Sequence, residues 1–473
     1  RRFESAERAL ETSLHIASER ADAVGERNAL RSIALLRSHE GRHADALGII
    51  ERVLELGRAA SDTRAEAGDL ATMANILRAM GDSPRALSVL EAALARTAAT
   101  DNPVRYGALL NVIGTVHRDL GDYDRALQYF QRLMHEGLEH RHPVIASFTL
   151  PAIAHIQLQQ GLVEESLATY QQALDINVKA RFAEGTAHAS RSLGEVLVGL
   201  DRVTDALPHL HRAAGLFAQL EDHATTAMMW RRLALGHERL GQPEQARDSW
   251  ERARAVHLTV GNAAGEAEAL DGLARAERQL AVAPEQVILR YEDSLALAVR
   301  VGDRVRELTV RNALGIVHWQ RGEYREAVRH YEMALRICRE NADRVHEALI
   351  LNSLGACLHQ LKRWDEARTA LVEAARVTEQ TGELQLRAHA YALLGDVAIA
   401  SGRWEEARER FLQSLQLRLD LADKLGEGWM QHRLAHATAL LNDLEASQRA
   451  LATARDIAIE LNEPTLLQAV SHP

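Results

Sequence analysis

Residues 302–328 read GDRVRELTVRNALGIVHWQRGEYREAV, and the order of small, large and turn-forming residues in this stretch sets the fold. Leu314 is followed by a small residue, Gly315. Eight positions after Leu314 comes Gly322, which opens a polar turn; Ala327 follows, and four residues later the large apolar Tyr331. The turn phrase recurs at Gly41, Gly81, Gly121, Gly161, Asp201 and Gly241, and again at Lys362, Gly402 and Asn442. The spacing is 40 residues on either side of one extra residue, placed in the loop Ala281 to Pro284.

The apolar-small pair keeps the same register. It stands at Ile33-Ala34, Met73-Ala74, Ile113-Gly114, Ile153-Ala154, Leu193-Gly194 and Leu233-Ala234, then at Leu273-Ala274, Leu314-Gly315, Leu354-Gly355, Leu394-Gly395 and Leu434-Ala435. Two markers in one register specify a pair of antiparallel helices, here helix A and helix B. Small residues let the two helices approach closely. Large ones, such as Phe130, Tyr170, Trp250, Tyr331 and Phe411, are expected to fill the gap to the next pair.

Leu314-Gly315, Gly322, Tyr324, Ala327, Tyr331 and Ala334 resemble the tetratricopeptide repeat, at a period longer than its usual 34 residues. The long period is similar to that of polarity scaffolds, kinesin light chains and bacterial signalling ATPases of the STAND or NB-ARC type. The resemblance implies an all-α, right-handed superhelical solenoid of antiparallel helical hairpins in about eleven repeats. In this register residues 1–20 form an orphan helix B, 21–280 and 301–463 hold the repeats, 281–300 form an irregular helix B, and 464–473 begin a further repeat. That phasing carries the expectation of a longer polypeptide with flanking domains. The departures are Asp201 and Lys362 in place of the turn glycine, and Pro151 within a helix A.

Composition narrows the function. Lys+Arg 56 against Asp+Glu 66 gives a net charge of −10, which lacks the positive field of a non-specific phosphate binder, so no direct nucleic-acid contact is expected. No apolar run approaches the roughly 18 residues of a membrane span, no signal peptide is visible, and two cysteines fit a reducing compartment, so the expected location is cytoplasmic. Cys338 and Cys357 read as core residues, since neither has a nucleophile's partners. His39-Glu40-Gly41-Arg42-His43 spells the zinc-protease signature, but Gly41 is the repeat's turn glycine and would break the helix between the histidines. His135-Glu136-Gly137-Leu138-Glu139-His140 misses the inverted zinc motif by one residue, and His432 with His436, one turn apart, reads as a solvated face. None of the three lysines follows a glycine, so there is no phosphate-binding loop. No enzyme, cofactor or metal is expected within this sequence.

In the resembled family, ligands contact the helix A positions two and five residues either side of the apolar marker, which share one face. On this chain those positions, with their neighbours, give a candidate groove of Asn75, Arg78, Asn111, Arg118, His155, His188, Arg191, Glu195, Arg231, Arg275, Asn312, Trp319 and Asn352. Asn111, Asn312 and Asn352 resemble the asparagine ladders that hold a peptide backbone, each carboxamide offering a donor and an acceptor. Arg191, Arg231 and Arg275 supply planar forks for carboxylate or phosphate. The expected function is a non-catalytic module that captures a protein or peptide in this groove; the alternative is the sensing segment of a bacterial STAND-type NTPase switch.

Overall fold

The computed structural model describes residues 2–59, 63–95, 97, 103–139 and 143–471. Among them are 24 helices and no strands, from α1 (Arg2–Glu19) to α24 (Pro464–Ser471). Even-numbered helices are helix A and odd-numbered ones helix B, so α2 (Ala23–His39) to α23 (Leu444–Glu460) make eleven hairpins. Most helices are 17 residues long because a left-handed residue ends them: Gly41, Gly81, Gly121, Gly161, Gly241, Gly322 and Gly402 all have positive φ. Behind each, an amide reaches back across the turn, as Arg42 N does to Arg37 O at 2.9 Å, closing the helix end. Asp201 and Lys362 adopt the same conformation, at φ 62° and 59°, without the glycine that makes it easy.

The second turn, from helix B to helix A, is left-handed as well at nine places among the described residues. Ala21, Arg181, Glu221, Ala342, Ala422 and Asn462 occupy it alongside Gly261, Gly302 and Gly382. The helices that follow are often capped by the next side chain: Asp22, Asp222, Asn262, Asp303, Asp343 and Asp423 each accept from the backbone N–H three residues on.

The chain forms two compact units, Arg1–Met229 and Trp230–Pro473. Within each, the small residue after the apolar marker receives the large residue of its own hairpin. A Cβ on Gly114 would stand 2.7 Å from the Phe130 ring, and one on Gly315 2.5 Å from the Tyr331 ring. Gly194 faces Leu210, Gly355 faces Leu371 and Gly395 faces Phe411 in the same way. The large residues therefore sit on their own hairpin's glycine as well as reaching toward the next pair. Trp250 is the exception, lying over Gly272 of the following helix A. In the first unit the largest core cluster runs from Ala34 to Val116; in the second it runs from Leu308 to Val397 and includes Tyr331, Cys338, Cys357 and Leu371.

Two places are more regular than the sequence suggests. Pro151 lies inside α8 (Pro143–Gln159), which continues through it. The segment after the inserted residue is an 18-residue helix, α15 (Pro284–Val301), with Pro284 in its first turn, where the missing N–H is not needed. It buries Val287, Tyr291, Ser294 and Ala298 at helical spacing.

Candidate functional site

In the first unit the candidate groove residues fall on four helices A. Asn75 and Arg78 lie on α4 (Thr63–Ala79), Asn111 and Arg118 on α6 (Pro103–Asp119), His155 on α8, and His188, Arg191 and Glu195 on α10 (Ala183–Gly199). Asp119 takes both N-terminal arginines, Arg78 at 2.9 Å and Arg118 at 2.7 Å. Burial works against its charge, yet the hydrogen bonds from Arg118 and Arg78 prevail and hold the carboxyl below its ordinary range. His155 projects into solvent, with partial burial and then the Arg118 charge pushing its pKa down. Among the described residues the side chains of Asn75, Asn111 and His155 accept or donate no hydrogen bond.

His188 meets Phe217 edge-on, ring centroids 5.1 Å apart, and the Arg191 guanidinium lies 6.0 Å from the same ring. Arg191 forms no ion pair among the described residues. The pKa of His188 is lowered, by burial and then by the Arg191 charge. Glu195, half-buried, stands one turn beyond Arg191.

The second unit arranges the same residue types differently. Arg231 donates to Glu268 at 2.8 Å, and Arg306 reaches Glu268 at 3.2 Å and Asp271 at 2.8 Å. Arg275 holds Asp271 at 2.6 Å and Glu238 at 3.2 Å, and the Trp250 indole N–H donates to Glu238 at 2.8 Å. Arg231 and Arg275 are thus tied to this chain's own acids in one continuous network, with the Asp271 side chain 1% exposed at its centre. Asn352 is 1% exposed; its amide donates to the Leu386 carbonyl at 3.0 Å, joining α18 (Arg344–Gln360) to α20 (Leu384–Ala400). Trp319 packs on Tyr324, centroids 5.0 Å apart, and against the largest core cluster of the unit. Asn312 is half-buried and hydrogen-bonds no described residue.

The remaining motifs resolve simply. α2 ends at His39, Gly41 turns at φ 79°, and His43 begins α3 (His43–Ala59), so the zinc-protease spelling straddles a turn. Of the near-inverse motif at 135–140, His140 lies outside the described residues. No group of three or more His, Cys, Asp or Glu among the described residues is placed to hold a metal ion. Burial pushes the thiols of both Cys338 and Cys357 up to about 12, leaving neither a ready thiolate. Trp364 packs against the core, whereas Trp404 stays 39% exposed. Among the described residues no helix is long and apolar enough to cross a membrane.

One recurring feature escaped the sequence reading. Glu66, Glu266, Glu307, Glu347 and Glu427 stand in the first turns of their helices A, and each meets a cation: Arg58, Arg254, the pair Arg304 and Arg311, the pair Arg339 and Arg344, and Lys424. Arg58, Arg254 and Arg339 come from the preceding helix B, so these pairs tie one hairpin to the next. The 40-residue spacing of the glutamates is visible in the sequence, but the partners' spacing is not fixed.

Residues 66–134, 290–340 and 346–420 match the family model described as tetratricopeptide repeat. No protein of curated function matches the chain. Among solved structures, a signal transduction ATPase with numerous domains (STAND) protein with a tetratricopeptide repeat sensor, from Pyrococcus horikoshii, is 14% identical with a TM-score of 0.52, over 94% of this chain and 74% of that one. The apo quorum sensor NprR from B. thuringiensis is 16% identical with a TM-score of 0.47, over 72% and 94%. BtubC from P. vanneervenii is 19% identical with a TM-score of 0.42, over 47% and 92%. The first of these likenesses establishes the fold as that of a tetratricopeptide-repeat array.

Proposed function

Because this chain carries tetratricopeptide repeats, we propose that it is a non-catalytic binding module whose helix A face captures a segment of a partner protein. The observation that carries the reading is the set of unengaged polar groups on the helices A of the first unit. Asn75, Asn111 and His155 hydrogen-bond nothing among the described residues, and Arg191 lies over the Phe217 ring with no ion pair among them. Carboxamides at successive helices suit an extended backbone, which presents one donor and one acceptor per residue. An arginine fork held over a ring suits a carboxylate of the same segment.

A second reading has one observation in its favour. The Pyrococcus horikoshii protein whose fold this chain follows over 94% of its length is described as carrying its repeats as a sensor. On that reading the captured segment is a signal, and its binding is passed to an NTPase domain of the same polypeptide.

The test is affinity purification of the chain from a lysate of its own host beside an Asn75→Ala, Asn111→Ala, Arg191→Ala variant of unchanged melting temperature. A protein retained by the wild type and lost from the variant is the expected result. Identical retention by both would sink the assignment of the capture face to these residues.

A further inference from the structure

Among the described residues, acids on the helices A repeatedly hold two arginines. Asp119 has Arg78 and Arg118, Glu268 has Arg231 and Arg306, and Asp271 has Arg275 and Arg306. Glu307 has Arg304 and Arg311, and Glu347 has Arg339 and Arg344. Two cations to one part-buried carboxylate is therefore a recurring arrangement on this face, beside acids such as Glu266 and Glu427 that meet a single cation, and the physical reason is plain. A desolvated carboxylate needs several charge-assisted donors to remain ionised.

Asp396 on α20 is one of the acids without a second cation, and it faces open space. Its single ion pair is to Arg433 of α22 (Lys424–Leu440), through one oxygen at 3.1 Å, although the Asp396 side chain is only 26% exposed. Where a second cation would stand there is instead a pocket of about 260 Å³. Glu277 also has a lone arginine, Arg290 at 3.4 Å, but its side chain is sealed at 4% exposure and no ligand can reach it. The Asp396 carboxylate opens into solvent-accessible space.

The walls of that space suit a cation on an aliphatic stem. Ile399, Ala400 and Phe411 give an apolar side for methylene groups. His359 and His436 line the space beside the acid. Arg433, 36% exposed, meets the acid at Oδ2, and Asp271 shows that one carboxylate on this face can take two arginines, Arg275 and Arg306. The volume lies below the roughly 300–1,000 Å³ of pockets for drug-sized ligands and is on the scale of a single side chain. The charge balance agrees: burial raises the pKa of Asp396 above its ordinary value even though Arg433, His359 and His436 act to lower it, whereas the doubly paired Asp119, Glu307 and Glu347 are all lowered.

We propose that this pocket binds a cationic nitrogen on an aliphatic stem, the arginine or lysine side chain of a captured segment, with the Asp396 carboxylate as its counter-ion. The source of that side chain rests on the partner-capture reading; the pocket's chemistry does not.

The experiment is saturation-transfer NMR on the full chain with N-acetyl-arginine amide, N-acetyl-lysine amide, N-acetyl-norleucine amide, N-acetyl-glutamate amide and agmatine. Saturation of the arginine and lysine methylene protons is expected, with the norleucine and glutamate probes at least ten-fold weaker. Asp396→Asn, which keeps the shape and removes the charge, should weaken the arginine probe at least ten-fold. Ala400→Trp, at an exposed position on the rim, should block it by filling the space, so the proposal stays testable should the first variant unfold. Preference for the glutamate probe, or arginine binding indifferent to both substitutions, overturns the proposal. Agmatine binding ten-fold tighter than the blocked arginine supports the pocket and overturns a peptide side chain as its source; the reverse order supports both.

Discussion

Arg191 of the first unit and Arg275 of the second unit are alike in sequence: each is a helix A arginine near the apolar marker with an acid within a turn. In the folded chain their situations are opposite. Arg191 lies beside the Phe217 ring and pairs with no described acid, while Arg275 is fixed between Asp271 and Glu238 and belongs to a network that runs from Arg231 to Trp250. For Arg275 the difference is made by Glu238, 37 residues away on the neighbouring helix A, as Glu268 makes it for Arg231. A planar fork on a groove face is a recognition group only when its own chain leaves it unengaged. Arg191 in the first unit pairs with no described acid, whereas Arg231, Arg275 and Arg306 in the second join helices A to one another, as Arg78 and Asp119 do in the first.

The scaffold common to both units should respond equally to overpacking. Gly114→Leu in the first and Gly315→Leu in the second would each drive a side chain into an aromatic ring, costing about 1–3 kcal/mol or more. Thermal melts check this, and an unchanged melting temperature in either would contradict the register. Cutting the network comes next. Asp271→Ala leaves Arg275 with Glu238 alone and Arg306 with Glu268 alone beside a buried void, and should cost about 1.5–3 kcal/mol, the scale of a lost hydrogen bond to a charged group. In the first unit Asp119 also holds two arginines, but its side chain is 30% exposed and water screens the pairs. Asp119→Ala should therefore cost well under half as much, and equal losses would erase the contrast.

Acid should act on the second unit through Glu307 and Glu347. Burial opposes their charge, but hydrogen bonds from Arg304 and Arg311, and from Arg339 and Arg344, hold both below the ordinary 4.5. A depressed folded pKa gives stability that is complete above the unfolded value and is lost as pH falls through the folded one. Melting temperature should therefore drop below about pH 4.5, and less steeply in a Glu307→Gln, Glu347→Gln variant. The smallest expected effect is at Lys362, whose left-handed backbone disfavours a side chain: Lys362→Gly should stabilise by about 0.5 kcal/mol, read from a denaturant midpoint.

The hairpins were legible because their cause is local and repeated. Gly315 under Tyr331 and a left-handed Gly322 must recur wherever two helices touch closely and turn sharply. The second turn was harder to see, since Arg181, Glu221, Ala342 and Ala422 fill a left-handed position without a glycine's signature. Positions on the candidate face were legible too, but their availability was not. Asn352 reads as a rung of a ladder and is buried against Leu386; Trp319 reads as a groove residue and packs on Tyr324. Burial and pairing depend on what adjacent repeats place opposite a residue, and a 40-residue spacing does not state it.

The contrast between engaged and unengaged arginines is tested most directly by comparing Arg191→Ala with Arg231→Ala in one experiment: quantified retention of the captured protein from host lysate, beside a thermal melt of each variant. Arg191→Ala should reduce retention about ten-fold, the effect of roughly 1.4 kcal/mol, and leave the melting temperature unchanged. Arg231→Ala should leave retention intact and cost at most about 0.5–1 kcal/mol, as expected of a half-exposed pair. Loss of retention from Arg231→Ala with none from Arg191→Ala would contradict the account.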